Sequence, residues 1–298
     1  MDQVMSQADI PVCAGYDPAP RPPKRAAPRQ ACDTHAHVFG PVERYAYSPR
    51  RGYTPPDALL AAYQHLHAVL GIERAVLTQP SVYGIDNQAI LDVVATDPQR
   101  YRAVVAVGRD VTDAELKAFA RAGATGIRIN LVDRGGMPFD RWSDFEAVAK
   151  RIADLGWHVE FLVHVHAFED LVPKLTRLPV DSVIGHMGYM PTREGLANPA
   201  WRRFVDHVAG GRCWVKLTGP YRITGATETP YADVVPFARA LVAARPDRIL
   251  WGTDWPHPAA KIAMPNDTEL FDALIDWVPD VSQRHAILVD NPARLYGF

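Results

Sequence analysis

A chain of 298 residues with 48% hydrophobic content can bury a large core, and its length suits a single α/β barrel, which takes about 250 residues. A formal net charge of −2 argues against the basic field of a nucleic-acid or membrane-surface binder. No apolar run reaches the ~18 residues of a membrane span, and the start lacks the apolar stretch of a signal peptide. Cys13, Cys32 and Cys213 are scattered and form no Cys-x-x-Cys, which speaks against a disulfide framework and for a reducing, cytoplasmic setting.

In chain order, residues 1–30 are rich in Pro, Ala and isolated charges, and read as an extended, partly disordered arm ahead of a single domain over 31–298. Cys32-Asp-Thr-His-Ala-His-Val-Phe39 then alternates like a strand, so His35 and His37 share one face. Two imidazoles on such a support can grip one metal ion or one carbonyl oxygen. His65 and His67 have the same spacing in a helical pattern, where positions two apart do not share a face; they are expected at the surface. His164 and His166 form a third such pair. The segment 40–56, with Tyr45, Tyr47, Arg50, Arg51 and Tyr53, is a candidate lid or substrate wall.

From residue 57 strands and helices alternate. Helical patterns are expected over about 57–70, around Ile90 to Val94, over 112–122 behind a Thr112/Glu115 capping box, and over about 143–155, 168–177, 199–209, 231–244, 268–277 and 283–298. Between them lie short apolar strands at 74–79, 101–107, 125–130, 157–163, 180–185, 213–218 and 248–252. Eight such alternations predict an α/β fold, a single (β/α)8 TIM barrel, with its chemistry at the C-terminal ends of the strands. The polar residues expected there are His35, His37, Gln79, Arg128, Asn130, His164, His186, Lys216, Thr218 and Asp254.

Histidines and an aspartate gathered on one barrel face suit hydrolysis. Asp254 is a natural base for water. His35, His37 and His186 can hold a divalent ion that polarises a carbonyl, or can donate hydrogen bonds to it directly. By donor type the ion would be zinc, held by His35, His37 and Asp254 with His164 or His186 completing the set. No carboxylate or lysine stands where it would bridge a second ion, so one at most is expected. His158 and His257 read as structural. Arg128, Arg134 and Arg222 point to an anionic substrate, because guanidinium groups pair bidentately with carboxylates.

The chain resembles the amidohydrolase superfamily (amidohydrolase family 2), in the branch that contains 2-pyrone-4,6-dicarboxylate lactonase. The resemblance rests on Asp33-Thr-His-Ala-His-Val-Phe-Gly-Pro41, Arg51-Gly-Tyr-Thr-Pro55, Gly126-Ile-Arg-Ile-Asn130, Leu155-Gly-Trp-His158, His186-Met-Gly188, Trp251-Gly-Thr-Asp-Trp-Pro-His-Pro258 and Asp290-Asn-Pro-Ala-Arg-Leu-Tyr296. It implies the barrel and hydrolysis of a lactone ring from aromatic-acid breakdown. Asp254 would activate water, His35, His37 and His186 would surround the carbonyl, and Tyr53, Ser81, Arg128, Arg134 and Arg222 would contact substrate. Three positions depart from that lactonase. Tyr189, counted among the expected substrate contacts, replaces an arginine after His-Met-Gly, Ala259 replaces a polar amide residue, and His164 stands where aromatic and acidic residues do. The first two remove polar contacts to a dicarboxylate. The third is typical of metal-binding members, whereas the lactonase itself is described as working without metal, so the metal stays open at this point.

The expected function is therefore opening of a small carboxylated lactone, pyrone- or muconolactone-like, with no nucleic acid or membrane as partner and the oligomeric state open. The alternatives are a metal-dependent decarboxylase of the same superfamily and a non-catalytic barrel that binds an organic acid.

Overall fold

The computed structural model describes residues 10–133 and 138–298. Eight strands alternate with eight principal helices: β1 (Cys32–Ala36), α1 (Leu60–Leu70), β2 (Arg74–Thr78), α2 (Gln88–Thr96), β3 (Tyr101–Val105), α3 (Asp113–Arg121), β4 (Ala124–Asn130), α4 (Trp142–Ala153), β5 (His158–Leu162), α5 (Leu171–Thr176), β6 (Ser182–Ile184), α6 (Pro199–Ala209), β7 (Cys213–Leu217), α7 (Val235–Ala244), β8 (Ile249–Trp251) and α8 (Asp267–Trp277). Each strand pairs in parallel with the next. The circle closes where Ala36 bridges Trp255: the His37 N–H donates to Trp255 O and the Asp254 N–H to His35 O, each at 2.8 Å. The chain is thus the expected (β/α)8 barrel.

Local chemistry explains the ends of several helices. At α3 the Thr112 hydroxyl accepts the Glu115 N–H (3.2 Å) while Glu115 accepts the Thr112 N–H (2.7 Å), the reciprocal capping box expected from the sequence. Asn198 caps α6 ahead of Pro199, and Asn266 caps α8. The helix expected over 168–177 is shorter, Leu171–Thr176, and the one expected over 231–244 starts at Val235. The tail bends through a π-helical turn, Ala286–Asp290, into a last helix, Asn291–Tyr296.

The barrel interior is layered. At the N-terminal end of the strands Cys32, Val76, Val104, Val183, Trp214 and Leu250 pack with Tyr296 of the terminal helix. Above this apolar floor come Arg128, Glu160 and Lys216, all buried. The larger core lies between the outer strand faces and the helices. There His67 corrects the sequence expectation. It shares the inward face of α1 with Tyr63, Leu66 and Leu70, and its Nε2 lies 3.5 Å from Asp33 Oδ2.

Residues 10–30 lie along the barrel wall. The Cys13 N–H donates to Thr54 O (2.9 Å), the Arg21 N–H to Thr268 Oγ1 (3.1 Å) and the Ala27 N–H to Leu70 O (2.9 Å). No helix among the described residues is long and apolar enough to cross a membrane.

Candidate active site

The register of β1 against β2 shifts between Asp33 and Ala36. This irregularity separates residues that strict alternation would place on one face. Asp33 turns toward α1, where it accepts from Tyr63 Oη (2.9 Å), Thr253 Oγ1 (2.6 Å) and the Thr253 N–H (2.9 Å). His35 and His37 instead meet inside the barrel, ring centroids 5.1 Å apart and nearly perpendicular. His186, after β6, lies 4.9 Å from the His35 ring.

Asp254 completes the cluster. Its Oδ1 lies 3.6 Å from His35 Nε2, 3.9 Å from His37 Nε2 and 3.9 Å from His186 Nε2. Its Oδ2 is taken: Tyr221 Oη donates to it, and so does Arg222 Nε at 2.7 Å. Oδ1 and His35 Nε2 are both buried without a hydrogen-bond partner. Asp254 and His186 both hold positive φ, 64° and 49°, a backbone cost of roughly 1–2 kcal/mol each that the surrounding packing must offset. Gly219, itself at φ +53°, makes room for them. A Cβ there would sit 2.8 Å from His186 Nδ1 and 3.1 Å from Asp254 Oδ2.

Burial alone would raise the Asp254 carboxyl, but Arg222 and the facing histidines hold it well below the usual carboxylate range. Burial pushes His35, His37 and His186 downward, so all three are neutral at pH 7. Beneath them Lys216 holds Glu160 well below its ordinary value against the opposing effect of burial.

The chamber above the cluster is lined by His37, Tyr53, Ser81, Arg128, Leu162, His186, Tyr189, Arg222, Asp254 and Ala259, among others. The substrate residues expected from the sequence, Tyr53, Ser81, Arg128, Tyr189 and Arg222, therefore share one wall with His37, His186 and Asp254, while His35 lies buried beside them and does not line it. Ser81 Oγ and the Nε and Nη1 of Arg128 are buried without hydrogen-bond partners, though Nη1 lies 3.6 Å from Glu160 Oε1. Arg222 is more committed: besides Asp254 it donates to Tyr189 Oη (3.1 Å) and Pro258 O (2.9 Å). Ser81 and Arg128 also border a neighbouring cavity of about 510 Å³. Arg134 lies outside the described residues.

A family model for Amidohydrolase matches residues 32–298. The chain belongs to this family. It is 39% identical to 4-sulfomuconolactone hydrolase of Hydrogenophaga intermedia, over 96% of this chain and 95% of that one. It is 38% identical to 2-pyrone-4,6-dicarboxylate hydrolase of Comamonas testosteroni, over 93% of each. A solved structure from Acinetobacter baumannii, named as a probable 2-pyrone-4,6-dicarboxylic acid hydrolase with citric acid bound, superposes with a TM-score of 0.80 at 26% identity, covering 90% of this chain and 100% of that one.

As an amidohydrolase the chain has a donor set compatible with a metal ion. Among the described residues His35, His186 and Asp254 bring ligand-type atoms within 4.8 Å of one another, and two of those atoms are the orphans noted above. His37 adds a nitrogen whose role is legible: Nδ1 lies 2.7 Å from Thr78 O, which can only accept, so Nε2 carries the lone pair. His164 stands apart from this set. Its Nδ1 faces Tyr189 O at 3.2 Å and its ring packs against Tyr189 and His166, while Leu162 takes the place on the chamber wall.

From the sequence Lys216 is expected at the strand ends without a specific role, and Glu160 and Tyr221 are not singled out. For the first two a signal existed. Each is a charged residue in mid-strand among apolar neighbours, in His158-Val-Glu-Phe-Leu162 and Cys213-Trp-Val-Lys-Leu217. His257, expected to be structural, contacts Tyr221 Oη (3.0 Å) and Asp267 Oδ1 (3.1 Å); His158 is buried near the Tyr296 ring.

Proposed function

We propose that this amidohydrolase is a lactonase, a carboxylic ester hydrolase that opens a small anionic lactone. The observation that carries this reading is the asymmetry of Asp254: one oxygen is anchored by Tyr221 and Arg222, and the other, buried and unpaired, faces three histidines. An ionised Asp254 Oδ1 takes a proton from water as the water oxygen bonds to the lactone carbonyl carbon. The carbonyl electron pair moves onto its oxygen, where imidazole N–H groups stabilise it. Collapse breaks the ring C–O bond, and the proton passes to the departing ring oxygen. The products are a carboxylate and a hydroxyl or enol, one acid equivalent per ring. Where a divalent ion such as zinc is bound, His35, His37, His186 and Asp254 would hold it, and it supplies further polarisation of the carbonyl and a more acidic water.

The unpaired Arg128 donors in the same chamber suit a substrate carboxylate. The two relatives named as lactone hydrolases act on anionic rings by name, which supports the same class here. Tyr189 and Ala259, in place of an arginine and a polar amide residue, both face the chamber. The wall thus offers fewer anion contacts than a dicarboxylate needs, which favours a muconolactone-like ring over the dicarboxylated pyrone. A pH-stat assay of carboxylated lactones at pH 7–9, with and without chelator, tests the reading. Base consumption matched to ring opening supports it. Carbon dioxide release without ring opening would point to the decarboxylase, and binding without turnover to the non-catalytic barrel.

A further inference from the structure

Beneath the cluster Lys216 and Glu160 are fully buried charges, and a buried pair of this kind costs several kcal/mol in desolvation unless every hydrogen bond is placed. Lys216 Nζ has three hydrogens and three acceptors around it: Glu160 Oε2 at 2.5 Å, Thr34 O at 2.6 Å and His35 Nδ1 at 3.2 Å. An ammonium has no lone pair, so its contact with Nδ1 requires Nδ1 to accept. The neutral ring must then carry its hydrogen on Nε2. The competing partner is Glu160 Oε1, 3.0 Å from the same nitrogen. That oxygen has another donor in reach, Thr78 Oγ1 at 3.4 Å, and the Arg128 charge lies 3.6 Å away without a hydrogen bond to it. The far side of the ring gives an independent argument. His35 Nε2 faces Asp254 Oδ1 at 3.6 Å, and both atoms lack a partner. With no ion between them, an N–H at Nε2 complements a carboxylate oxygen that only accepts.

We propose that Lys216 and Glu160 are a positioning pair that holds His35 as an Nε2–H donor, opposite in tautomer to His37. The two histidines of one strand then do different work. His35 donates to the lactone carbonyl oxygen and stabilises the developing oxyanion. His37, bare at Nε2 and 3.9 Å from Asp254 Oδ1, forms with it a pair of acceptors suited to the two hydrogens of the attacking water. The assignment of work rests on the lactonase reading; the tautomers do not. In this state His35 has no lone pair for an ion, and a metal could bind that nitrogen only after displacing its proton.

The test is nitrogen NMR of the full chain labelled with 15N-histidine, with resonances assigned by His35→Gln and His37→Gln. The expected result is protonated Nε2 for His35 and protonated Nδ1 for His37, unchanged by exhaustive chelation. Lys216→Met should move the His35 proton to Nδ1, where Glu160 now accepts it. It should also lower kcat by about 10²-fold with little change in KM, as loss of an oxyanion donor does. If that variant does not fold, Lys216→Met with Glu160→Gln removes both buried charges, and the new amide can donate to Nδ1 and restore the Nε2–H signature. A wild-type spectrum with a bare His35 Nε2, or one that shifts when bound zinc is removed, overturns the proposal. So does a Lys216→Met spectrum identical to wild type. Because the spectrum is read without substrate, a failure of the lactonase reading shows separately, in the pH-stat assay.

Discussion

Asp254 has one oxygen anchored and one free, and this division makes its replacement informative. Asp254→Asn keeps the volume and a hydrogen-bonding contact for Tyr221 while removing the proton acceptor. It should retain substrate binding and lower kcat by roughly 10²-fold or more; turnover near the wild-type rate would refute its role as base. Arg128 makes a different prediction. Its partnerless Nε and Nη1 lie in the chamber wall, and a charged bidentate bond adds roughly 1.5–3 kcal/mol each. Arg128→Met should raise KM for a carboxylated lactone by about 10- to 100-fold and leave a neutral lactone almost unaffected. An equal loss for both would mean that Arg128 supports the fold through Glu160, 3.6 Å away, rather than holding a carboxylate. At this scale residue types were readable in advance, and partnerships were not. Arg222 reads from the sequence as a substrate contact; its bonds to Asp254, Tyr189 and Pro258, which tie it to the base as well, come from distant segments and leave no local signal.

The elements that aim these side chains are the strand ends and the tight loops behind them. Gly219, after β7, lets His186 and Asp254 approach from two other strands. Gly219→Ala brings a Cβ within 2.8 Å of His186 Nδ1 and adds the strain of a positive φ, so it should cost about 1–3 kcal/mol in stability and at least 10-fold in kcat. Gly156 offers a control. It has φ +68° with nothing within 4 Å of a built Cβ, so Gly156→Ala should carry the backbone strain alone. Thermal melts and kinetics on the pair separate the two effects, and equal loss of activity in both would remove the steric argument. Element order was legible because period-2 apolar strands and capped helices are local signals; the Thr112–Glu115 box is one example. The register shift in β1 was not legible. Nothing in Cys32-Asp-Thr-His-Ala shows that Asp33 turns outward while His35 turns in, because the contacts that decide it, Tyr63 and Thr253, come from distant segments. The same holds for His67, whose burial follows from the inward face of α1 and not from its spacing to His65.

For the whole molecule, polar groups inside the barrel tie stability to pH. His158 is buried without hydrogen-bond partners, and burial pushes it down to about 4. In the unfolded chain the same ring titrates near 6.5. Between these values the unfolded state binds a proton that the folded state does not, so stability falls as pH drops from about 6.5 toward 4. A difference of that size corresponds to roughly 3 kcal/mol for His158 alone. His35, His37 and His186 are shifted in the same direction and add to the loss. The carboxylates act lower. Asp254 and Glu160 are held below their unfolded values, so their contribution is present above about pH 4 and lost only as pH falls through the depressed values. Urea unfolding at steps from pH 8 to 4.5 should therefore show near-constant stability down to about 6.5 and a steepening decline below it. His158→Leu replaces the ring with an apolar side chain that has no hydrogen bond to lose. It should flatten the decline by roughly 2–3 kcal/mol between pH 6.5 and 4.5. A variant with the wild-type slope would place the proton uptake at other histidines and refute the assignment to His158.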